Sequence, residues 1–205
     1  ASQGYLAVCF DFRGGGPGSQ SDGSPLEMTI FTEQQDLEAE IAMLRARSDV
    51  NEQYIFLLGN SQGGVVSALT AAAYPDWVRA MALSSPAFSL ADDARKLFGS
   101  ADEIPEQYFH LMMNVGRDYF ASVYDFDPID AAKSYPGDVL IFHGDRDTLV
   151  PIDYSRRAAE SFPNAMLQVL SGEGHMYSGQ AVRQTIDSIS DFFYTHLGKA
   201  AMPQS

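Results

Sequence analysis

Gly59-Asn60-Ser61-Gln62-Gly63 stands between the apolar run Tyr54-Ile55-Phe56-Leu57-Leu58 and the small-residue run from Val65 to Ala73. A short apolar run that stops at glycine reads as a buried strand, and the run of small residues reads as a helix that packs closely. A serine at their junction, with glycine two residues before it and two after, describes a strand, a tight turn and a helix with a hydroxyl at the tip. That arrangement is a nucleophile elbow. The expected reason for the spacing is crowding, since the turn strains the backbone of Ser61 and only small neighbours tolerate it.

Five residues alone are weak evidence, because serine between glycines also occurs in ordinary turns. Two further stretches add to them. Asp138-Val139-Leu140-Ile141-Phe142 reads as a buried strand and runs into His143-Gly144-Asp145-Arg146-Asp147-Thr148-Leu149-Val150-Pro151, which places an acid just past the strand end. Met166-Leu167-Gln168-Val169-Leu170 reads as another strand, followed by Ser171-Gly172-Glu173-Gly174-His175. Serine, acid and histidine thus occur in chain order, each after a predicted strand, where an open α/β sheet gathers its functional loops.

On these residues the chain resembles the α/β-hydrolase superfamily. The stretch Gly59 to Val66, followed by Tyr74-Pro75-Asp76, is similar to bacterial cinnamoyl and feruloyl esterases, and the likeness runs from Gly4 to about Leu197. The resemblance implies an α/β-hydrolase fold, a mostly parallel sheet flanked by helices. It implies Ser61 as nucleophile, His175 as general base and then acid, Asp147 as orienting carboxylate, and the backbone N–H of Gln62 as an oxyanion-hole donor. Close relatives carry histidine where Asn60 stands, a change that concerns packing beneath the elbow more than chemistry.

Asp145 competes with Asp147 for the acid role. The family pattern, with the acid three residues before the valine at Val150, favours Asp147 and leaves Asp145 to tie down the turn. His143 is expected to support the acid loop, His110 to lie in a helical stretch with Tyr108, Phe109, Leu111 and Met112, and His196 to sit near the end of the last helix. No histidines have metal-ligand spacing, so no metal or organic cofactor is expected.

The activity implied is ester hydrolysis through an acyl-enzyme, with hydroxycinnamate esters as the leading substrate class. A short-acyl lipase, thioesterase or serine peptidase would use the same triad. A non-catalytic binding module would keep the pocket and lack a complete oxyanion hole. Fold likeness does not choose among them.

A chain of 205 residues, 45% hydrophobic and 20% charged, fits one domain with a substantial core. Its net charge of −14 argues against nucleic acid as a partner, since such binding releases counterions from a basic surface. The partner expected is a small-molecule ester. No apolar run is long enough to span a bilayer, and Ala1-Ser2-Gln3-Gly4 lacks the features of a signal peptide. The single cysteine, Cys9, reads as a small buried hydrophobe in a strand from Tyr5 to Phe10. A reducing, cytoplasmic location is the default, with secretion left open because a mature chain can have shed a leader.

A helix is expected from Thr32-Glu33 through Arg47, burying Leu37, Ile41 and Leu44, and a strand from Val78 to Leu83. The core is then 1–87 and 137–205, with 88–136 a small cap rich in large apolar side chains in helical patches. The Gly-rich run Gly14-Gly15-Gly16-Pro17-Gly18 reads as a tight turn beside the active site, with Arg13 bordering an acyl pocket.

The family has earlier strands, one of which carries the second oxyanion donor and lies between the Tyr5 and Tyr54 strands. No counterpart occurs in this sequence. A fragment lacking the N-terminal part of the sheet is the favoured reading. Otherwise the Gly14 to Gly16 loop substitutes as donor, or a second subunit donates a strand in a homodimer.

Overall fold

Ladders that run parallel need a crossover between successive strands, and here helices supply most of them. The computed structural model describes residues 4–16 and 18–198. Helix α1 (Ile30–Arg45) is followed by strand β1 (Phe56–Asn60), helix α2 (Gln62–Ala73) and strand β2 (Ala80–Ser84). Next come α3 (Leu90–Leu97), the hairpin β3 (Gln107–His110) and β4 (Met113–Gly116), α4 (Arg117–Ala121) and α5 (Pro128–Ala132). The chain returns to the sheet with β5 (Asp138–Gly144), then α6 (Asp153–Ser161), β6 (Ala165–Leu170) and α7 (Gly179–Thr195). The main sheet has the order β1-β2-β5-β6 with every neighbouring pair parallel.

Residues of β2 and β5 are almost entirely buried, with α2 packed on β2 and α6 and α7 packed on β5. Among the helices, α2 is the most deeply set, with Gly64 to Ala71 all buried. Its small side chains let it lie close against the sheet, at the density of a protein interior. Helix α1 begins two residues earlier than its apolar stripe implies, because Thr29 and Thr32 form a reciprocal capping box. Leu37 and Ile41 are buried as expected, and Leu44 is half-buried.

Four expectations need correction. Residues Tyr5 to Phe10 form no strand, and Leu6, Val8 and Phe10 are exposed. The cause is the lack of a partner, since β1 is hydrogen-bonded to β2 alone and forms an outer strand of the described sheet. Extended backbone without a ladder buries nothing, so Cys9 is exposed rather than buried. His110 is not helical but ends β3, whose hairpin turns at Leu111 and Met112 with φ of 45° and 73°. Such turns favour Asn-Gly, so Leu-Met gives no sign of one in the sequence. Finally, β1 starts two residues later than the apolar run, because Glu52–Tyr54 is a short 3₁₀ turn capped by the Asn51 side chain.

Candidate active site

Strand β1 delivers the chain into the turn at Ser61, whose φ of 51° and ψ of −120° are strained for any residue but glycine. Backbone bonds on both sides hold it there. Ser61 N–H donates to Ser84 O at 2.9 Å, and Ser61 O accepts from Ala87 N–H and Gly64 N–H, each at 3.0 Å. The exposed Asn60 side chain donates to Ser84 O at 3.2 Å, braces the same junction and takes no part in the histidine–acid arrangement.

Crowding explains one glycine of the motif and not the other. A Cβ at Gly59 would lie 2.4 Å from Gly63 O and 2.6 Å from Ser67 Oγ, whereas one at Gly63 would meet nothing within 4 Å. The second close approach is at Gly64, where a Cβ would sit 2.9 Å from Pro86. Helix α2 therefore needs small residues where it passes β1 and the chain after β2, not at the position the motif marks.

The loops after β5 and β6 bring the acid and the histidine to this turn. His175 Nε2 lies 3.1 Å from Ser61 Oγ, and its Nδ1 lies 2.7 Å from Asp147 Oδ2. An ionised carboxylate can only accept, so Nδ1 carries the proton and Nε2 faces the serine hydroxyl as an acceptor. The Asp147 side chain is fully buried and its Oδ1 accepts from Leu149 N–H and Val150 N–H, both at 2.9 Å. Burial pushes that carboxyl upward, but the bonds from Val150, His175 and Leu149 outweigh it and hold its pKa below the ordinary carboxylate value.

Asp145 has the other task. Its Oδ1 accepts from Gly172 N–H at 2.6 Å, while Arg146 N–H donates to Glu173 O at 2.9 Å, so the acid and histidine loops are laced together. His143 is buried behind Asp147, as the sequence suggested. Its Nε2 donates to Val150 O at 2.9 Å, with Asp147 Oδ2 at 3.2 Å, and Nδ1 accepts from Ser155 Oγ at 2.7 Å. Burial pushes the His143 imidazole down, so it remains neutral and adds no charge beside the acid.

Gln62 is the first residue of α2, where an N–H has no partner within its own helix. The N-terminus of a helix also carries partial positive charge, which suits an anion forming beside Ser61. The Gly-rich loop offers less, since Gly14 N–H already donates to Asp22 O and Gly15 N–H to Phe12 O, each at 2.9 Å. Arg13 is drawn to α1, where its N–H and Nε donate to the Asp36 carboxylate at 2.8 and 2.6 Å.

A strained serine at a strand-to-helix turn, followed in chain order by an acid and a histidine on the loops after later parallel strands, is the α/β-hydrolase arrangement. The model of the family described as serine aminopeptidase, S33, matches residues 1–125 of the 205. The chain belongs to this family of hydrolases.

Its curated relatives include the uncharacterized protein YfhR of Escherichia coli O157:H7, 29% identical over 173 residues, which cover 82% of this chain and 53% of the relative. The chain thus spans about half the length of the curated relatives it matches. Among solved structures, Est1E from Butyrivibrio proteoclasticus with ferulic acid bound superposes with a TM-score of 0.81 at 26% identity, over 91% of this chain and 75% of that one. The Paleococcus ferrophilus monoacylglycerol lipase shares the fold, with a TM-score of 0.69 at 18% identity over 91% of this chain and 82% of that one.

Within this S33 hydrolase fold, two residues near the elbow escaped the sequence reading. Glu33 is buried and accepts from Gln62 Nε2 at 2.8 Å, and Tyr119 O–H donates to Gln62 Oε1 at 2.6 Å. A glutamate in the first turn of a helix ordinarily complements the helix dipole in solvent. Its position 29 residues before Gln62 carries no local signal, so only the packing of α1 on α2 reveals it. Among the described residues no group of histidine, cysteine and carboxylate side chains is placed to hold a metal, and no helix is long and apolar enough to cross a membrane.

Proposed function

We propose that this chain carries the catalytic centre of a serine carboxylesterase, with esters of hydroxycinnamic acids as the preferred substrates. The observation that supports it most is the hydrogen-bonded series Ser61, His175, Asp147 at a strained elbow. In the reaction, His175 Nε2 takes the Ser61 proton as Oγ bonds to the ester carbonyl carbon, and the carbonyl oxygen becomes an oxyanion facing Gln62 N–H. His175 then gives that proton to the leaving alkoxide as the C–O bond breaks. Water, deprotonated by the same imidazole, attacks the acyl-enzyme and releases the acid and Ser61.

The ferulic acid bound in Est1E and the 26% identity to it support an aromatic acyl group. In this reading residues 88–136 form a cap over the pocket, with Tyr119 reaching down to the residue after the nucleophile. No cofactor, nucleic acid or membrane enters the reaction, and the cell compartment proposed is the cytoplasm.

A second reading, with the same triad cleaving aminoacyl amides rather than hydroxycinnamate esters, is favoured by the description of the matching family as serine aminopeptidase. A panel of ethyl ferulate, p-nitrophenyl butyrate and aminoacyl p-nitroanilides separates them by kcat/KM, with Ser61→Ala as control. Preference for ferulate supports the first reading, and preference for the anilides replaces it with the second.

A further inference from the structure

The Gln62 side chain is held at both ends. Its Nε2 donates to Glu33 Oε2 at 2.8 Å from the first turn of α1, and its Oε1 accepts from Tyr119 O–H at 2.6 Å from α4. The three residues lie on elements far apart in the chain that meet beside the nucleophile. Glu33 and Tyr119 are 5% and 4% exposed, so water does not compete for these bonds. A buried carboxylate is costly unless it is paired and hydrogen-bonded, and no cation among the described residues pairs with Glu33, which is held by the Gln62 amide.

The directions of the bonds are also determined. An ionised Glu33 can only accept, which forces the amide N–H₂ toward α1 and leaves Oε1 to accept from the tyrosine. Gln62 can then occupy one orientation only. If Glu33 is protonated, its O–H can donate to Oε1 while the amide N–H₂ turns to the Tyr119 oxygen, and two orientations become available. Burial raises the Glu33 pKa, the Gln62 bond lowers it and nearby Asp36 raises it, which together bring it to about 7.

Resting on the hydrolase reading above, we propose that Glu33 is a positioning residue for oxyanion stabilisation. By fixing the Gln62 side chain against Tyr119, it fixes the backbone N–H of Gln62 at the start of α2, where the oxyanion forms. A donor displaced by a fraction of an ångström stabilises the transition state less and leaves substrate binding almost unaltered.

The ionisable surroundings limit the source of any pH effect. From α1 Glu33 faces Asp36, itself paired with Arg13 of the Gly-rich loop, and from α4 it faces Tyr119, whose pKa burial raises far above neutrality. Behind Tyr119 lie His110 of β3, whose ring centroid is 5.6 Å away and whose pKa burial lowers, and Asp93 of α3. Glu33 is the group of this set brought to about 7.

The test is the second-order rate of Ser61 phosphonylation by a fluorophosphonate, followed by intact mass from acid to alkaline pH on the full chain. The variants are Glu33→Gln, Glu33→Ala and Tyr119→Phe. The end-point mass counts competent nucleophiles, so rate is separated from the fraction folded.

Loss of the clamp slows Glu33→Ala and Tyr119→Phe by about tenfold or more, with full labelling at the end point. Glu33→Gln stays within about threefold of the wild type below neutrality, because the clamp survives without its charge. The ratio of wild-type to Glu33→Gln rates cancels the contribution of His175 and rises with pH through a midpoint at about 7.

Rates for Glu33→Ala and Tyr119→Phe equal to the wild type, or a ratio that is flat in pH, overturn the proposal. Wild-type protein that is folded and unlabelled at Ser61 overturns the hydrolase reading itself, and the proposal with it.

Discussion

Asp147 and Glu33 are both buried carboxyls within reach of the elbow, and their environments push them in opposite directions. Asp147 receives two backbone N–H bonds and the His175 imidazole, which keep it ionised. Asp147→Asn presents an amide that can take the place of the acceptor with a donor, so His175 is offered the wrong tautomer. Turnover should fall by about 10³–10⁴ with the fold retained, measured as kcat on the best ester. Asp145→Asn should lose less than about tenfold, since Asp145 laces the two loops and does not touch His175. Glu33 is desolvated without a cation, so its folded pKa of about 7 exceeds the 4.5 of an ordinary glutamate. The folded state then binds the proton more tightly than the unfolded state, and stability falls as pH rises from about 4.5 through about 7, above which the loss is complete. Glu33→Gln removes that loss, so thermal unfolding should show the variant gaining on the wild type by up to about 3 kcal/mol at pH 8 and by nothing resolvable at pH 4. A variant no more favoured at pH 8 than at pH 4 contradicts a buried, ionising Glu33.

At the scale of elements, the elbow depends on how closely α2 passes β1. Gly59→Ala drives a methyl into Gly63 O and Ser67 Oγ and should cost about 3 kcal/mol or more in urea unfolding. Gly63→Ala enters open space and should fall within about 1 kcal/mol of the wild type. Equal costs at the two positions would contradict the packing described. The same contrast marks where sequence reading reaches its limit. The strands and helices around Ser61, Asp147 and His175 were legible, because apolar runs of strand length end at glycine and polar loops. Crowding at position 63, which the motif spacing suggests, is absent, because crowding depends on what lies opposite in space. The stretch around His110 looks helical in sequence and forms the β3–β4 hairpin for a similar reason: Leu111 and Met112 accept positive φ in a turn whose usual residues are absent. Residues Tyr5 to Phe10 are an apolar run of strand length, but a strand exists only when another backbone shares its hydrogen bonds.

For the whole molecule, the order β1-β2-β5-β6 gathers the ends of β1, β5 and β6 at one edge of the sheet, and with them the serine, the acid and the histidine. Chain order gives the serine, the histidine and the loop of the acid, since each follows a recognisable strand, while the choice of Asp147 over Asp145 rests on the family resemblance. The clamp on Gln62 could not be read the same way, because Glu33 and Tyr119 come from elements with no signal pointing at the elbow. The central claim is that this assembly activates Ser61 as a nucleophile. The most direct measurement is fluorophosphonate labelling of the folded chain followed by peptide mapping, in the wild type and in His175→Ala. One adduct is expected, on Ser61, formed by the wild type and slowed by at least about 10³ in the folded His175→Ala variant. Folded wild-type protein without an adduct, an adduct on another residue, or equal labelling of the variant would contradict it.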